Sequence, residues 1–205
     1  MQSYDALLVD ADTGNLHSVY NALTSQGFQI KITQDPKDLL KPGRIILPGV
    51  GAFRSFMDGL TRLDLIEAII TAVQRGDPLL GICVGMQALF EFSTEMGQHA
   101  GLELLQGDVR RFPEFEDLKV PHTGWNQLQH DQSHPLLSGI PSGSYAYFNH
   151  SYYCNPQDNQ QPLTRTDYGI SFCSAVQRQN LFGVQFHPEK SQRVGLQLLA
   201  NFITM

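Results

Sequence analysis

Residues 79–90, LLGICVGMQALF, constrain this chain more than any other stretch. An apolar strand runs into a cysteine framed by two glycines, and a helical pattern starts at once. Gly81-Ile82-Cys83-Val84-Gly85 has the G-x-nucleophile-x-G form of a nucleophile elbow. In such a strand-to-helix turn the middle residue takes strained backbone geometry, and the glycines let strand and helix approach closely. The turn presents the Cys83 thiol at the carboxyl edge of a sheet and at a helix N-terminus, where unpaired N–H groups and the helix dipole favour thiolate over thiol. The N–H of Val84 would then face a developing oxyanion. The competing reading is that Cys83 is a small buried hydrophobe, and the pentapeptide alone does not separate the two.

The flanking sequence supplies the strands and helices an elbow needs. DALLVDAD (5–12) reads as a buried strand. The helix after it places Leu16, Val19, Tyr20 and Leu23 on one face, with Asn15 as N-cap and Gly27 at its end. Phe28, Ile30 and Ile32 alternate as a strand does, and RIILPG (44–49) is another strand, stopped by Pro48. Helical spacing runs from Phe53 to Arg75 with an interruption near Gly59, and Asp77-Pro78 closes it before the elbow strand. This alternation through residue 92 predicts an α/β fold with a mostly parallel central sheet flanked by helices. From about 105 to 186 short β-like runs with frequent turns predict hairpins or a mixed or antiparallel extension of the sheet. LFGVQFHPEK restores a buried strand, and Val194, Leu198 and Phe202 mark a C-terminal amphipathic helix.

Length and composition narrow the function classes. A chain of 205 residues is expected to form one domain spanning residues 1–205. A net charge of −6 with no run of like charges gives no sign of nucleic-acid or membrane binding. Neither a signal peptide nor a membrane span is legible, so a cytoplasmic location is expected. The three cysteines, Cys83, Cys154 and Cys173, are widely spaced without CxxC, which suits neither a disulfide framework nor zinc. His122, His130, His134 and His150 lack zinc-ligand spacing, and no metal or other cofactor is expected.

A thiol nucleophile needs a base. His187 stands at the end of a predicted strand, as Cys83 does, and the carboxyl ends of strands are where open α/β sheets bind ligands. Glu189, across Pro188, is placed to orient the imidazole and stabilise its protonated form. By itself His-Pro-Glu is a surface turn more often than not, but with the elbow it makes a Cys-His-Glu set. LPGVGAF (47–53) brings the flexible backbone of Val50 and Gly51 beside the elbow, suited to completing an oxyanion hole with Val84. An ordinary glycine turn is the alternative.

Together these residues resemble the class I glutamine amidotransferases, in which a Cys-His-Glu triad releases ammonia from the side chain of glutamine. Within that class the chain is most similar to the glutaminase subunits of imidazole glycerol phosphate synthases, of histidine biosynthesis. The matching blocks are TGNLHSV, PGVGAFRSFM, GICVGMQALFE, GLELLQGDVRRF, KVPHTGWNQL, YFNHSYY and FGVQFHPEKS, with Lys119–Leu128 the most specific. The resemblance implies Cys83 as nucleophile, His187 as general base and acid, and Glu189 as its orienter. It implies contacts to L-glutamine by Gly51, Gln87, Glu95, Ser151 and Tyr152. It also implies a heterodimer with a (β/α)8-barrel cyclase that consumes the ammonia, with Asn15, Trp125, Tyr147 and Lys190 at or near the interface. Core packing competes with that role for Trp125 and Tyr147, and a solvated charge competes for Lys190. DADTGN departs from the aromatic-glycine start common in relatives, in a loop expected to face the partner.

Two other readings remain open on the sequence. The same glutaminase would suit another synthase, of anthranilate, aminodeoxychorismate or a bacterial sugar amide. A regulatory module that kept the fold and lost the chemistry is the reading from a different class, and an unreactive Cys83 would favour it.

Overall fold

Apolar runs too short for helices alternate with amphipathic runs in the first ninety residues, and each takes the structure its pattern dictates. The computed structural model describes residues 4–12, 16–114, 116–131, 133–157 and 162–205. The first half contains β1 (Ala6–Val9), α1 (Leu16–Thr24), β2 (Ile30–Thr33), β3 (Ile45–Gly49), α2 (Phe53–Arg62), α3 (Leu65–Arg75), β4 (Leu79–Cys83) and α4 (Val84–Gln87). The second half contains β5 (Phe90–Ser93), β6 (His99–Ala100), β7 (Leu105–Arg111), β8 (His122–Leu128), β9 (Ser144–His150), β10 (Tyr152–Pro156), β11 (Pro162–Asp167), β12 (Ser171–Arg178), β13 (Leu181–Val184) and α5 (Gln192–Thr204).

The strands join in the order β2-β1-β3-β4-β13-β12-β10-β7-β5-β6, with β11 on the flank of β12. From β2 to β13 every neighbouring pair is parallel. At β13 the direction changes, because the pairs β13–β12, β12–β10 and β10–β7 are antiparallel, while β7 and β5 pair in parallel again. The expected α/β fold, a parallel sheet with an antiparallel extension, is what forms. Its central strands β3, β4 and β13 are buried along their whole length, as strands covered on both faces must be. Outside this sheet β8 and β9 pair as a separate antiparallel ribbon.

Helix α1 packs against α5, and α2 against α3 and α4. The helix faces read from the sequence are the buried ones. Leu16, Val19 and Leu23 of α1 are in the core, as are Phe53, Phe56 and Leu60 of α2, and Leu198 and Phe202 of α5. Each such side chain stabilises the fold by about 1.5–3 kcal/mol relative to exposure.

Several sequence expectations need correction. The chain does not break at Gly59: α2 passes through it and ends at Arg62, with Leu63 as its C-cap and left-handed Asp64 after it. Gly59 is a packing position, since a side chain there would overlap the carbonyl oxygen of Ala11. The helix of the elbow is a single turn, and strand β5 begins at Phe90. Ala88, Leu89 and Phe90 are buried, so their hydrophobicity cannot tell helix from strand. What ends the helix is tertiary: the N–H groups of Leu102, Glu103 and Leu104 donate to the carbonyls of Ala88, Phe90 and Leu89. The final strand is also shorter than LFGVQFHPEK suggested and stops at Val184. Asn15, expected as an N-cap, lies outside the described residues.

Candidate active site

Strand β4 ends at Cys83, whose backbone has φ 54° and ψ −111°. A non-glycine residue in such a conformation costs on the order of 1–3 kcal/mol, and the surrounding structure must hold it. Gly81 and Gly85 are what make the turn possible. A side chain on Gly81 would meet the backbone of Gly85, and one on Gly85 would overlap the carbonyl oxygen of Leu47 in β3. The elbow is therefore wedged between two strands, and Cys83 projects from it.

His187 lies three residues past the end of β13, the strand hydrogen-bonded in parallel to β4. Its Nδ1 and Glu189 Oε1 are 2.9 Å apart, and both side chains are buried, at 4% and 1% exposure. Burial alone lowers the affinity of the imidazole for a proton. Hydrogen bonds to Cys83 and to Glu189, with the charges of both, outweigh it and raise the His187 pKa to about 10. The charged imidazole between a thiol and a buried carboxylate is the form able to protonate a leaving group.

The backbone of His187 is fixed as firmly as its ring. Its N–H donates to the carbonyl of Tyr147 in β9 at 2.9 Å. Its carbonyl accepts from Ser191 Oγ at 2.7 Å, and that hydroxyl accepts from the Tyr147 N–H at 2.9 Å.

Around Cys83 and His187 lies a cleft of about 470 Å³ that also takes in Val50, Gly51, Val84, Gln87, Glu95, Ser151, Tyr152 and Lys190. The structure thus gathers the expected oxyanion and glutamine-contact residues around one thiol. Glu189 stands behind His187 rather than in the cleft. Glu95 Oε2 accepts from the N–H of Phe53 at 2.6 Å, which ties this acidic wall to the first turn of α2, just after Gly51. Gln87 is buried, and its Nε2 donates to the Tyr152 carbonyl and to Gln185 Oε1, each at 3.1 Å. Only its Oε1 remains for a ligand.

Of the residues expected at an interface, Trp125 is 46% exposed and meets Tyr147 edge-on at 6.1 Å between ring centroids. Lys190 Nζ lies 5.8 Å over the Tyr147 ring. The three form one surface patch beside the cleft, so core packing does not describe Trp125. Asn15 again lies outside the described residues.

Sequence reasoning missed Pro121, Asn149 and His150, which also line the cleft, and the buried Gln185, hydrogen-bonded to Gln87 and Cys83. The block KVPHTGWNQL was informative about family, yet nothing in it said that its histidine pairs with another. His122 Nδ1 is 3.0 Å from His150 Nε2, among the rings of Phe112, Phe148, Tyr168 and Phe172. Burial pushes His122 down to about 4 and His150 to about 3, so both are neutral. Among the described residues no group of three or more His, Cys, Asp or Glu side chains is arranged to hold a metal ion. A second cleft, of about 520 Å³ between Gln129 and Ser171, has no cysteine on its walls.

A family model described as glutamine amidotransferase class-I matches residues 7–205. Among curated relatives, the imidazole glycerol phosphate synthase subunit HisH of Moorella thermoacetica is 48% identical over 195 residues, covering 95% of this chain and 92% of that protein. The same subunit of Syntrophotalea carbinolica is 45% identical over 201 residues, covering 96% and 98%. Among solved structures, a glutamine amidotransferase superposes with a TM-score of 0.74 at 19% identity, covering 96% of each chain. PurLQS from Thermotoga maritima superposes with a TM-score of 0.66 at 19% identity, again over 96% of each chain. At such identities the structural likeness speaks for the fold, while the matched model and the curated relatives speak for descent. The chain belongs to the class I glutamine amidotransferases, in the family of imidazole glycerol phosphate synthase HisH subunits.

Proposed function

We propose that this chain is the glutaminase subunit of an imidazole glycerol phosphate synthase, a single domain that hydrolyses L-glutamine and passes ammonia to a (β/α)8-barrel cyclase bound to it as a heterodimer. The observation that carries the reading is one cleft holding an elbow cysteine, with a buried His187–Glu189 pair hydrogen-bonded behind it. The Cys83 thiolate attacks the side-chain amide carbon of glutamine, forming the S–C bond and moving the carbonyl electrons onto oxygen. Backbone N–H groups of the Val50–Gly51 turn and of Val84 stabilise that oxyanion. Its collapse breaks the C–N bond, and protonated His187 gives its proton to the departing ammonia, leaving a thioester. The now neutral His187 takes a proton from water, whose oxygen attacks the thioester. The second collapse returns the thiolate and releases glutamate. Glu95, Ser151, Tyr152 and Gln87 form the walls against the amino-acid end of the substrate.

Trp125, Tyr147 and Lys190 would face the cyclase. Three free, buried cysteines suit the reducing cytoplasm, and among the described residues no helix is long and apolar enough to cross a membrane. The test is glutamate release from glutamine, measured with and without the barrel cyclase and its nucleotide ligand. The proposal expects release that rises with the liganded cyclase. Cys83→Ala should abolish release while the synthase still turns over with added ammonium, and loss of both activities would overturn the division of labour.

A further inference from the structure

We infer that Gln185 activates the nucleophile: its side-chain amide donates a hydrogen bond to Cys83 Sγ and favours the thiolate. The inference rests on the reading of Cys83 as nucleophile.

Gln185 is fully buried just past the end of β13, its own N–H held by the Ser174 carbonyl at 2.9 Å. Its Nε2 lies 3.7 Å from Cys83 Sγ, a separation long for an oxygen acceptor but within reach of the larger sulfur. Amide ends are assigned from their partners, and here the partners leave no choice. The Tyr152 carbonyl can only accept, so the end of Gln87 beside it is the NH2 group. That same NH2 group faces Gln185 at 3.1 Å, so the near end of Gln185 is its oxygen. The far end, toward sulfur, is therefore N–H. Turning Gln185 over would set two NH2 groups against each other and aim a carbonyl oxygen at a thiolate.

The chain of donors continues outward. The Tyr152 carbonyl also accepts from His150 Nδ1 at 2.8 Å, which leaves His150 Nε2 to accept from His122 Nδ1 at 3.0 Å. His122 Nε2 accepts from Asn126 Nδ2 at 3.2 Å. Asn126 cannot flip, because its Oδ1 takes the Gln127 N–H and its Nδ2 also donates to the Asp167 carbonyl. Both imidazoles are thereby held as neutral tautomers. Every group from Asn126 to Gln185 is oriented by a neighbour, and the inner end presents one N–H to one sulfur. Filling the space behind Cys83 does not require an amide, since a methionine has similar length. A buried amide is useful there because a thiolate accepts far better than a thiol, so the bond shifts the balance toward thiolate.

The test is the pH dependence of Cys83 alkylation by iodoacetamide, read on the Cys83-bearing peptide of the full chain, for wild type, Gln185→Met and Gln185→Glu. The methionine variant is expected to move the midpoint up by about one pH unit and slow alkylation at pH 7 about threefold, an up to tenfold smaller thiolate fraction being partly offset by a more reactive thiolate. At high pH it is expected to react about threefold faster than wild type, because a more basic thiolate is the better nucleophile. The glutamate variant, which keeps the bond from Gln87 but sets an oxygen against sulfur, is expected to shift the midpoint further. It carries the test if the methionine variant fails to fold. An unchanged midpoint in a folded variant overturns the role of Gln185. An inert wild-type Cys83, with no glutamate release, overturns the nucleophile reading instead.

Discussion

Tyr147 grips His187 by both ends of its peptide, directly through the His187 N–H and through the Ser191 hydroxyl at the carbonyl, so the ring cannot shift without straining strand β9. Tyr147 is also the residue whose ring lies under Lys190 and beside Trp125. A force on that surface patch therefore reaches His187 through one direct hydrogen bond and through the two that Ser191 makes.

Ser191→Ala removes half of this grip and leaves the Tyr147 N–H without its partner. The variant should fold with about 1–3 kcal/mol less stability. Its kcat for glutamine hydrolysis should fall about tenfold, with KM nearly unchanged, because His187 moves while the walls of the cleft stay. Steady-state kinetics and urea denaturation on the same preparation check both numbers.

Glu189→Gln keeps the shape and the bond to His187 Nδ1 but loses the charge. The imidazole should then hold its proton less tightly than in wild type. Glutaminase kcat should drop at least about a hundredfold, and the group required protonated should titrate at lower pH in the pH–rate profile.

Cys83→Ala takes away a hydrogen bond and a charge that raise His187. In wild type the folded pKa, about 10, lies above the unfolded 6.5, so His187 contributes stability that is fully present below pH 6.5. That contribution is lost as pH rises from 6.5 toward 10. In the alanine variant the folded pKa falls and the window narrows from its upper end. Imidazole titration by NMR reads the shift directly, and denaturation midpoints from pH 6 to 10 read the linkage.

The His122–His150 pair acts in the opposite direction. Burial depresses both, to about 4 and about 3, so their contribution is present above pH 6.5 and lost as pH falls toward those values. Positive charge on His187 works against protonation of His150 as well. His122→Phe, which can keep the stacking on Tyr168 and Phe148, should be less stable at pH 7.5 and lose less on going to pH 5. Equal losses in variant and wild type would remove the pair from the account of acid sensitivity.

Glu95→Ala should raise KM for glutamine and also cost about 1 kcal/mol of stability, because the carboxylate caps the first turn of α2 at Phe53 as well as lining the cleft. Glu95→Gln should recover most of the stability and little of the affinity. That split is measured by thermal denaturation alongside substrate saturation.

Cys83, His187 and Glu189, which the structure brings together, were legible because their signals are local. Gly81 and Gly85 announce a turn that tolerates no side chains, and His-Pro-Glu is compact enough to be read in one glance. The parallel sheet was legible for the same reason, since strand and helix periods alternate cleanly before residue 79. The single turn of α4 was not, because MQALF is buried on all sides and backbone pairing from residues 102–104 decides where the helix stops. Gln185 sits between Val184 and Phe186 in a run that reads as core. Its meaning depends on Gln87, nearly a hundred residues away in the chain, being turned by a carbonyl of β10. The pairing of His122 with His150 depends on the register of β8 against β9, and periodicity does not fix register between strands separated by a long connection.

The reversal of strand direction at β13 divides the labour of the cleft. Cys83 and the Val50–Gly51 turn belong to the parallel half, and Ser151 and Tyr152 to the antiparallel half, with His187 leaving the strand where the halves meet. The thiol and imidazole are rooted in adjacent parallel strands, whereas the Ser151–Tyr152 wall leads into a strand two places further along the sheet. The β8–β9 ribbon is tied to both, through Tyr147 to the backbone of His187 and through the chain after His150 to Ser151 and Tyr152, so the base and the far wall of the cleft share one support.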